Sequence, residues 1–292
     1  MLVEQAFMAL PEFLVGAPYL KYEHEGTLVM AYSMALLQEL NGRNVNNPVS
    51  VIRGEVEYLQ GAGNRADLAL NLNACGIATD SLAHYGYKVP VWVEAKFSRK
   101  SAVTGNNVTP STTGTMRVIA DLIRLCCLPP EVPGTNLKQG RYLLHAYQGR
   151  VFDYLGARKS RSPARAAANG RPALLARPAF EREWARSLVA PGRATLRGFR
   201  TAWECNGFDA EVGRNLRGIG LQVDVTNFVH EPVPVTADNY TLVLTRIEGF
   251  IVSVEIDGTV HVIRCRHGNQ LAERPAGAFE AIRNFVSANL RS

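Results

Sequence analysis

The chain has 292 residues, a formal net charge of +6 and a calculated pI near 9.2, with 47% hydrophobic and 20% charged residues. This suits one elaborated domain or two modest ones, with a core large enough to need no covalent staples. Five cysteines, two of them the adjacent Cys126 and Cys127, do not make a disulfide framework, so a reducing cytoplasm is expected. No apolar run is long enough to span a bilayer, and no phosphate-cradling glycine loop is present, which argues against membrane insertion and ATP-driven work.

The start, Met1 to Glu12, carries an early acid and lacks a basic signal-peptide region, so it reads as a short amphipathic helix. Thr27 to Leu40 is helical by periodicity, with Leu28, Tyr32, Ala35, Leu36 and Leu40 near one face. Glu25 immediately precedes this helix, where the macrodipole favours an acid in any case, and Glu39 lies near its end. Val51 to Leu59 reads as a strand with Glu55 and Glu57 on one face. These acids suit either the approach to a metal or the surface of an edge strand.

Arg65 to Leu72 is the next strand, with Leu68, Leu70 and Leu72 facing one way and Asp67, Ala69 and Asn71 the other. Then comes Val91-Trp92-Val93-Glu94-Ala95-Lys96-Phe97, an apolar run broken by two charges. Glu94 and Lys96 share a face with Trp92, while Val91, Val93, Ala95 and Phe97 form a core-like face. Buried charges are costly unless they are paired or bind metal, so a core strand that keeps both is expected to use them. If the two strands pair antiparallel, the start of one lies beside the end of the other, and Asp67 comes close to Glu94 and Lys96.

Two carboxylates at that point make a hard, oxygen-rich site suited to magnesium or manganese. Such a metal polarises a phosphate oxygen and acidifies a bound water. Lys96 would orient the attacking water or stabilise the charge that develops. The chemistry this describes is phosphodiester hydrolysis without a covalent nucleophile. The competing reading is a cross-strand ion pair on a solvated face, which the flanking apolar residues disfavour.

Thr115 to Leu128 is helical, with Met116, Ile119, Ile123 and Cys127 spaced for packing, and Pro129-Pro130 ends it. Arg117 and Arg124 on this helix read either as phosphate contacts or, with Asp121, as a solvated face. Arg141 to Gln148 is a further strand. Residues 157–200 hold ten arginines and Lys159 against only Glu181 and Glu183, a local charge of +9 that leaves the rest of the chain near −3. The part from Arg158 to Arg171 reads equally as a flexible linker or a backbone contact. From Phe180 to Phe199 the interleaved Trp184, Leu188 and Leu196 indicate folded structure. Arg182, Arg186, Arg193 and Arg197 are therefore the expected nucleic-acid contacts. Gln60, Arg65 and Ser98 are unranked candidates for substrate contact.

Toward the C-terminus, Tyr240 to Leu244, Phe250 to Ile256 and Thr259 to Cys265 read as strands. Gly249 marks one bend and Asp257-Gly258 a hairpin. Ala278 to Leu290 is a closing helix. These elements form either a separate α+β module or an extension of the preceding sheet. His261, Cys265 and His267 match no zinc spacing and read as incidental polar residues of a hairpin.

Asp67 in Arg-Ala-Asp-Leu-Ala-Leu, followed by Glu94-Ala95-Lys96 in the next strand, resembles the PD-(D/E)xK nuclease superfamily. The first motif is Ala-Asp rather than Pro-Asp, a variation that superfamily tolerates. The order helix, three strands, helix, strand over residues 20–150 is similar to its core. The resemblance implies an α/β (α+β) fold with a restriction-endonuclease-like core, a central mixed sheet flanked by helices, and a C-terminal α+β region. The expected divisions are 1–155 for the nuclease core, 156–200 for the arginine-rich segment and 201–292 for the C-terminal region. It also implies catalytic residues Asp67, Glu94 and Lys96, with Glu25 as the supplementary acid. Magnesium, replaceable by manganese, would be held by Asp67, Glu94 and the Ala95 carbonyl. The implied activity is DNA endonuclease, in restriction or defence, acting on duplex DNA as a homodimer. The alternatives are a non-catalytic DNA-binding protein on the same fold, and a nuclease acting on RNA or on branched or damaged DNA.

Overall fold

The computed structural model describes residues 2–15, 25–57, 65–75, 90–100, 111–128, 139–149, 151, 154, 186–187, 190–197, 219–235, 238–266 and 271–289. Four helices, α1 (Leu2–Val15), α2 (Glu25–Gly42), α3 (Ser111–Cys126) and α4 (Ala278–Asn289), flank one sheet among the described residues. The strands are β1 (Ile52–Glu57), β2 (Arg65–Leu70), β3 (Val91–Ser98), β4 (Gly140–Gln148), β5 (Gly192–Arg197), β6 (Gly220–Val235), β7 (Asp238–Ile256), β8 (Thr259–Cys265) and β9 (Ala272–Arg274). They form one mixed, mostly antiparallel sheet in the order β1-β2-β3-β4-β7-β6-β5, with β8 and β9 continuing beside the far half of β7. Only β3 and β4 pair in parallel. Among the described residues, no helix is long and apolar enough to cross a membrane.

The expected α2 face is buried throughout: Leu28, Tyr32, Ala35, Leu36 and Leu40 are each no more than 1% exposed. Its core extends to α1 and to Val91, Val93 and Ala95 of β3. Trp92, on the alternate face of β3, packs with the α3 and α4 core. The sheet is therefore covered on both sides, and any polar group at its centre must find its partners inside the protein.

α1 is fixed by polar contacts as well as by packing. Glu4 is buried and accepts from the Tyr142 hydroxyl at 3.0 Å and from Arg246 Nη1 at 2.7 Å. Pro11 lacks the N–H that would otherwise bond the Phe7 carbonyl, and His230 Nε2 lies 3.1 Å from that oxygen.

Several expectations shift at their edges or in their continuity. β1 begins at Ile52 because Val51 closes a short 3-10 turn, and α2 and α3 begin earlier than expected, at Glu25 and Ser111. The expected bend at Gly249 is a bulge instead. Asp224 and Val225 of β6 oppose Gly249 and Ile247, so Glu248 is the extra residue and β7 runs on for 19 residues. β4 pairs with β7 from Tyr142↔Arg246 to Gln148↔Tyr240, so the C-terminal strands extend the first sheet. β6 was not expected at all. Its alternation Leu221, Val223, Val225 against Gln222, Asp224, Thr226 is nonetheless a clear strand pattern. The Asp257-Gly258 hairpin is present, with both residues at positive φ (49° and 76°) as a two-residue primed turn requires.

Candidate active site

The β2–β3 ladder runs Leu70↔Val91, Ala69↔Trp92, Leu68↔Val93. Asp67 stands one residue beyond its end. There the side chain replaces the backbone: Asp67 Oδ2 accepts the Ala95 amide at 2.6 Å. Asp67 is thus fixed against the Glu94-Ala95-Lys96 segment, as antiparallel pairing of the two strands predicts. Glu94 is 4% exposed, on the same strand face as Lys96.

Lys96 is the hub of the cluster. Its Nζ donates to the Ala95 carbonyl at 2.6 Å and lies 3.4 Å from Glu25 Oε1 and 3.2 Å from Asp121 Oδ2. Burial opposes its charge, but Asp121, Glu25, Glu94 and Asp67 outweigh that penalty and raise the ammonium well above the ordinary lysine range. Lys96 is therefore protonated at any physiological pH. It can donate hydrogen bonds and stabilise anionic charge, but it cannot take a proton from water. Burial raises the Glu25 carboxyl above its usual value; Lys96 opposes the shift, while Asp67 and Asp121 add to it.

Glu25, the first residue of α2, is brought to the site as expected. Glu39 is not; it pairs with Arg43 at 3.6 Å. Glu55 and Glu57 are exposed on β1, the edge strand. The pairs Gly54↔Leu68 and Val56↔Ala66 place Glu55 opposite Asp67, at a left-handed φ of 52°. Arg65 is exposed and Ser98 half-buried, while Gln60 lies outside the described residues.

The reading of Asp121 and Arg124 as a solvated face or phosphate contacts is corrected. Asp121 is 2% and Arg124 6% exposed, and Arg124 Nη1 donates to Asp121 Oδ1 at 2.7 Å. Arg117, one turn earlier, is exposed. The available signal was the surrounding sequence Val-Ile-Ala-Asp-Leu-Ile-Arg-Leu. A helical stretch that is apolar all round is buried, and a charged i,i+3 pair inside it is buried too.

His145 is a second residue that sequence reasoning passed over. β4 places it beside Lys96 in the parallel ladder. It is 1% exposed, its Nδ1 lies 2.7 Å from the Tyr147 hydroxyl, and its Nε2 has no hydrogen-bond partner. Burial and the nearby Lys96 charge hold its pKa down to about 3. A lone histidine in Arg-Tyr-Leu-Leu-His-Ala-Tyr is the signal that could have found it.

The expected nucleic-acid contacts divide. Arg182 lies outside the described residues, as does the side chain of Arg197; Arg186 and Arg193 are exposed. Arg193 pairs with Thr226, on the side of β6 that carries Phe228 and faces the α1–α2 core. That side is opposite to the one holding Glu94 and Lys96. β5 is four strand spacings from β3, or about 19 Å. Arg193 is thus placed away from the cluster.

The oxygen set expected for magnesium is two carboxylates and a main-chain carbonyl. Among the described residues, no three His, Cys, Asp or Glu side chains form a ready group for a metal. His261 and Cys265 belong to no such group among the described residues, and His267 lies outside them. The charge of the cluster fits a cation even so. Four carboxylates (Glu25, Asp67, Glu94, Asp121) gather around Lys96, and Arg124 pairs with Asp121. All the donors are hard oxygens, the preference of magnesium. Comparison with protein-family models, curated proteins and solved structures gives no match.

Proposed function

We propose that this chain is a magnesium-dependent nuclease of the PD-(D/E)xK class, with a restriction-endonuclease-like core, that hydrolyses DNA phosphodiester bonds. The observation that carries this reading is the Asp67 carboxylate, which bonds the Ala95 amide at 2.6 Å and so joins Asp67 to Glu94 and Lys96 at one strand end. The element order supports it. α2 is followed by three antiparallel strands, then α3, then β4 parallel to β3.

Asp67, Glu94 and the Ala95 carbonyl would hold magnesium, and manganese is the natural substitute. When bound, the ion supplies Lewis-acid polarisation of a phosphate oxygen and an acidified water. Lys96, kept charged by its acids, donates to the water or to the phosphate oxygens and does not act as a base. Asp121, itself held by Arg124, and Glu25 restrict where the ammonium can go. Cutting both strands of a duplex is simplest with two such sites, so the proposed assembly is a homodimer.

The test is cleavage of plasmid, linear and single-stranded DNA and of RNA, with and without magnesium, by wild type and by Lys96→Ala. The expected result is magnesium-dependent cutting of DNA by wild type alone. Equal cutting by the two proteins would refute the assignment of Lys96. Silence from both, with salt-sensitive DNA binding, would favour a non-catalytic binding protein.

A further inference from the structure

Lys96 makes a contact that its proposed catalytic role does not require. Its ammonium donates to the Ala95 carbonyl at 2.6 Å, shorter than its approach to either acid. That oxygen is the main-chain member of the set assigned above to magnesium. A carbonyl engaged by an ammonium is a poor ligand for a second cation, because the two positive charges repel at close range.

An alternative position for the ammonium is already built. Asp121 Oδ2 is buried, makes no hydrogen bond, and lies 3.2 Å from Lys96 Nζ. The other oxygen of Asp121 is fixed by Arg124 at 2.7 Å, so the acceptor is held in place. Glu25 Oε1, on α2, already accepts a long hydrogen bond from the same ammonium at 3.4 Å. An ammonium has three protons and rotates freely about its stem. A small movement takes Lys96 from the carbonyl to the two acids.

We propose that Lys96 is a tethered counter-cation that exchanges with the divalent ion. From the Ala95 carbonyl it neutralises part of the acid cluster. With an ion on that oxygen, Lys96 would give up the carbonyl and keep, at closer range, the Asp121 and Glu25 contacts it already makes. Asp121 is thereby the positioning residue that sets where the ammonium stands in the loaded site. This inference rests on the metal-dependent reading above.

The test is titration of manganese(II) alone, without DNA, followed by the electron paramagnetic resonance of the free ion. Wild type is compared with Lys96→Met, Lys96→Gln and Lys96→Arg, each checked for folding by circular dichroism. Removing the competing charge should tighten manganese binding at least tenfold in the Met and Gln variants and leave the Arg variant near wild type. The Gln variant retains a donor for Asp121 and serves if the Met variant does not fold. Asp121→Asn should weaken binding in the wild-type background and change it little when combined with Lys96→Gln. Manganese binding by wild type that is equalled or exceeded in dissociation constant by both the Met and Gln variants overturns the exchange but leaves the metal reading standing. No binding by any of the proteins removes both.

Discussion

Acidification should destabilise this protein through His145, by an amount the structure allows to be worked out. The imidazole is 1% exposed, and burial together with Lys96 holds its pKa near 3, against about 6.5 in an unfolded chain. The folded pKa is the lower one, so the unfolded state binds a proton first as pH falls. Its contribution is therefore fully present above about pH 6.5 and is lost as pH falls through the window toward 3. Between about pH 7 and about pH 4.5 the loss is about 2.5 kcal/mol, a large share of a typical total of about 5–15 kcal/mol. Urea unfolding of wild type and His145→Leu at those two pH values measures it. Carboxylates titrate in both proteins, so the difference between the two pH dependences isolates the histidine. The expected result is a smaller acid-induced fall in stability for the variant, by about 2 kcal/mol or more. Parallel pH profiles for the two proteins would show that His145 protonates freely in the folded state, and the burial argument would be wrong.

Three further outcomes follow from the same geometry. Lys96→Ala should lower DNA cleavage by about two to three orders of magnitude, the scale for losing one aligned donor to developing charge, with DNA binding retained in a filter or mobility assay. Asp121→Ala removes the buried carboxylate that accepts from Arg124 and faces Lys96 and should cost about 3–5 kcal/mol in chemical denaturation; Asp121→Asn, which still accepts from Arg124, should cost clearly less. Gly258→Ala puts a Cβ on a residue at φ 76° in the β7–β8 hairpin and should lower stability by about 1–2 kcal/mol, visible as a fall in thermal midpoint with cleavage unchanged.

The sequence made the site's strand residues legible because strand geometry is simple. A period of two assigned Glu94 and Lys96 to one face, and antiparallel pairing brought Asp67 to them. Helix residues were harder to read. Asp121 and Arg124 look like surface residues one at a time, and only the apolar ring around them shows that the helix end is enclosed. β6 was missed because the sequence before it is irregular, although its own alternation is plain. The arginine-rich segment shows the limit of composition. Charge density marked Arg193 as a contact, but only the register Arg193↔Thr226 reveals that it faces away from Lys96. Net charge describes a surface, whereas face assignment needs pairing.

The electrostatics of the cluster bear on the two readings that sequence left in competition. A structural ion pair on a sheet needs one acid for each base, and exposed pairs contribute about 0–1 kcal/mol. Here neither condition holds. Glu94 and Asp121 are 4% and 2% exposed, so each has lost its water, and four carboxylates act on the one ammonium of Lys96. Burying charge in that way is expensive, and apolar residues of similar volume would serve stability as well or better. The cluster sits at a strand end, where the β2–β3 ladder stops at Leu68↔Val93 and the Asp67 side chain takes over the next amide. A fold that gives up backbone pairing and gathers four carboxylates around Lys96 at one point is compatible with the metal-dependent function proposed above. Lys96 supplies positive charge to those acids from within the chain. A divalent cation at the same oxygens would add to what Lys96 supplies, which is what the manganese titration measures.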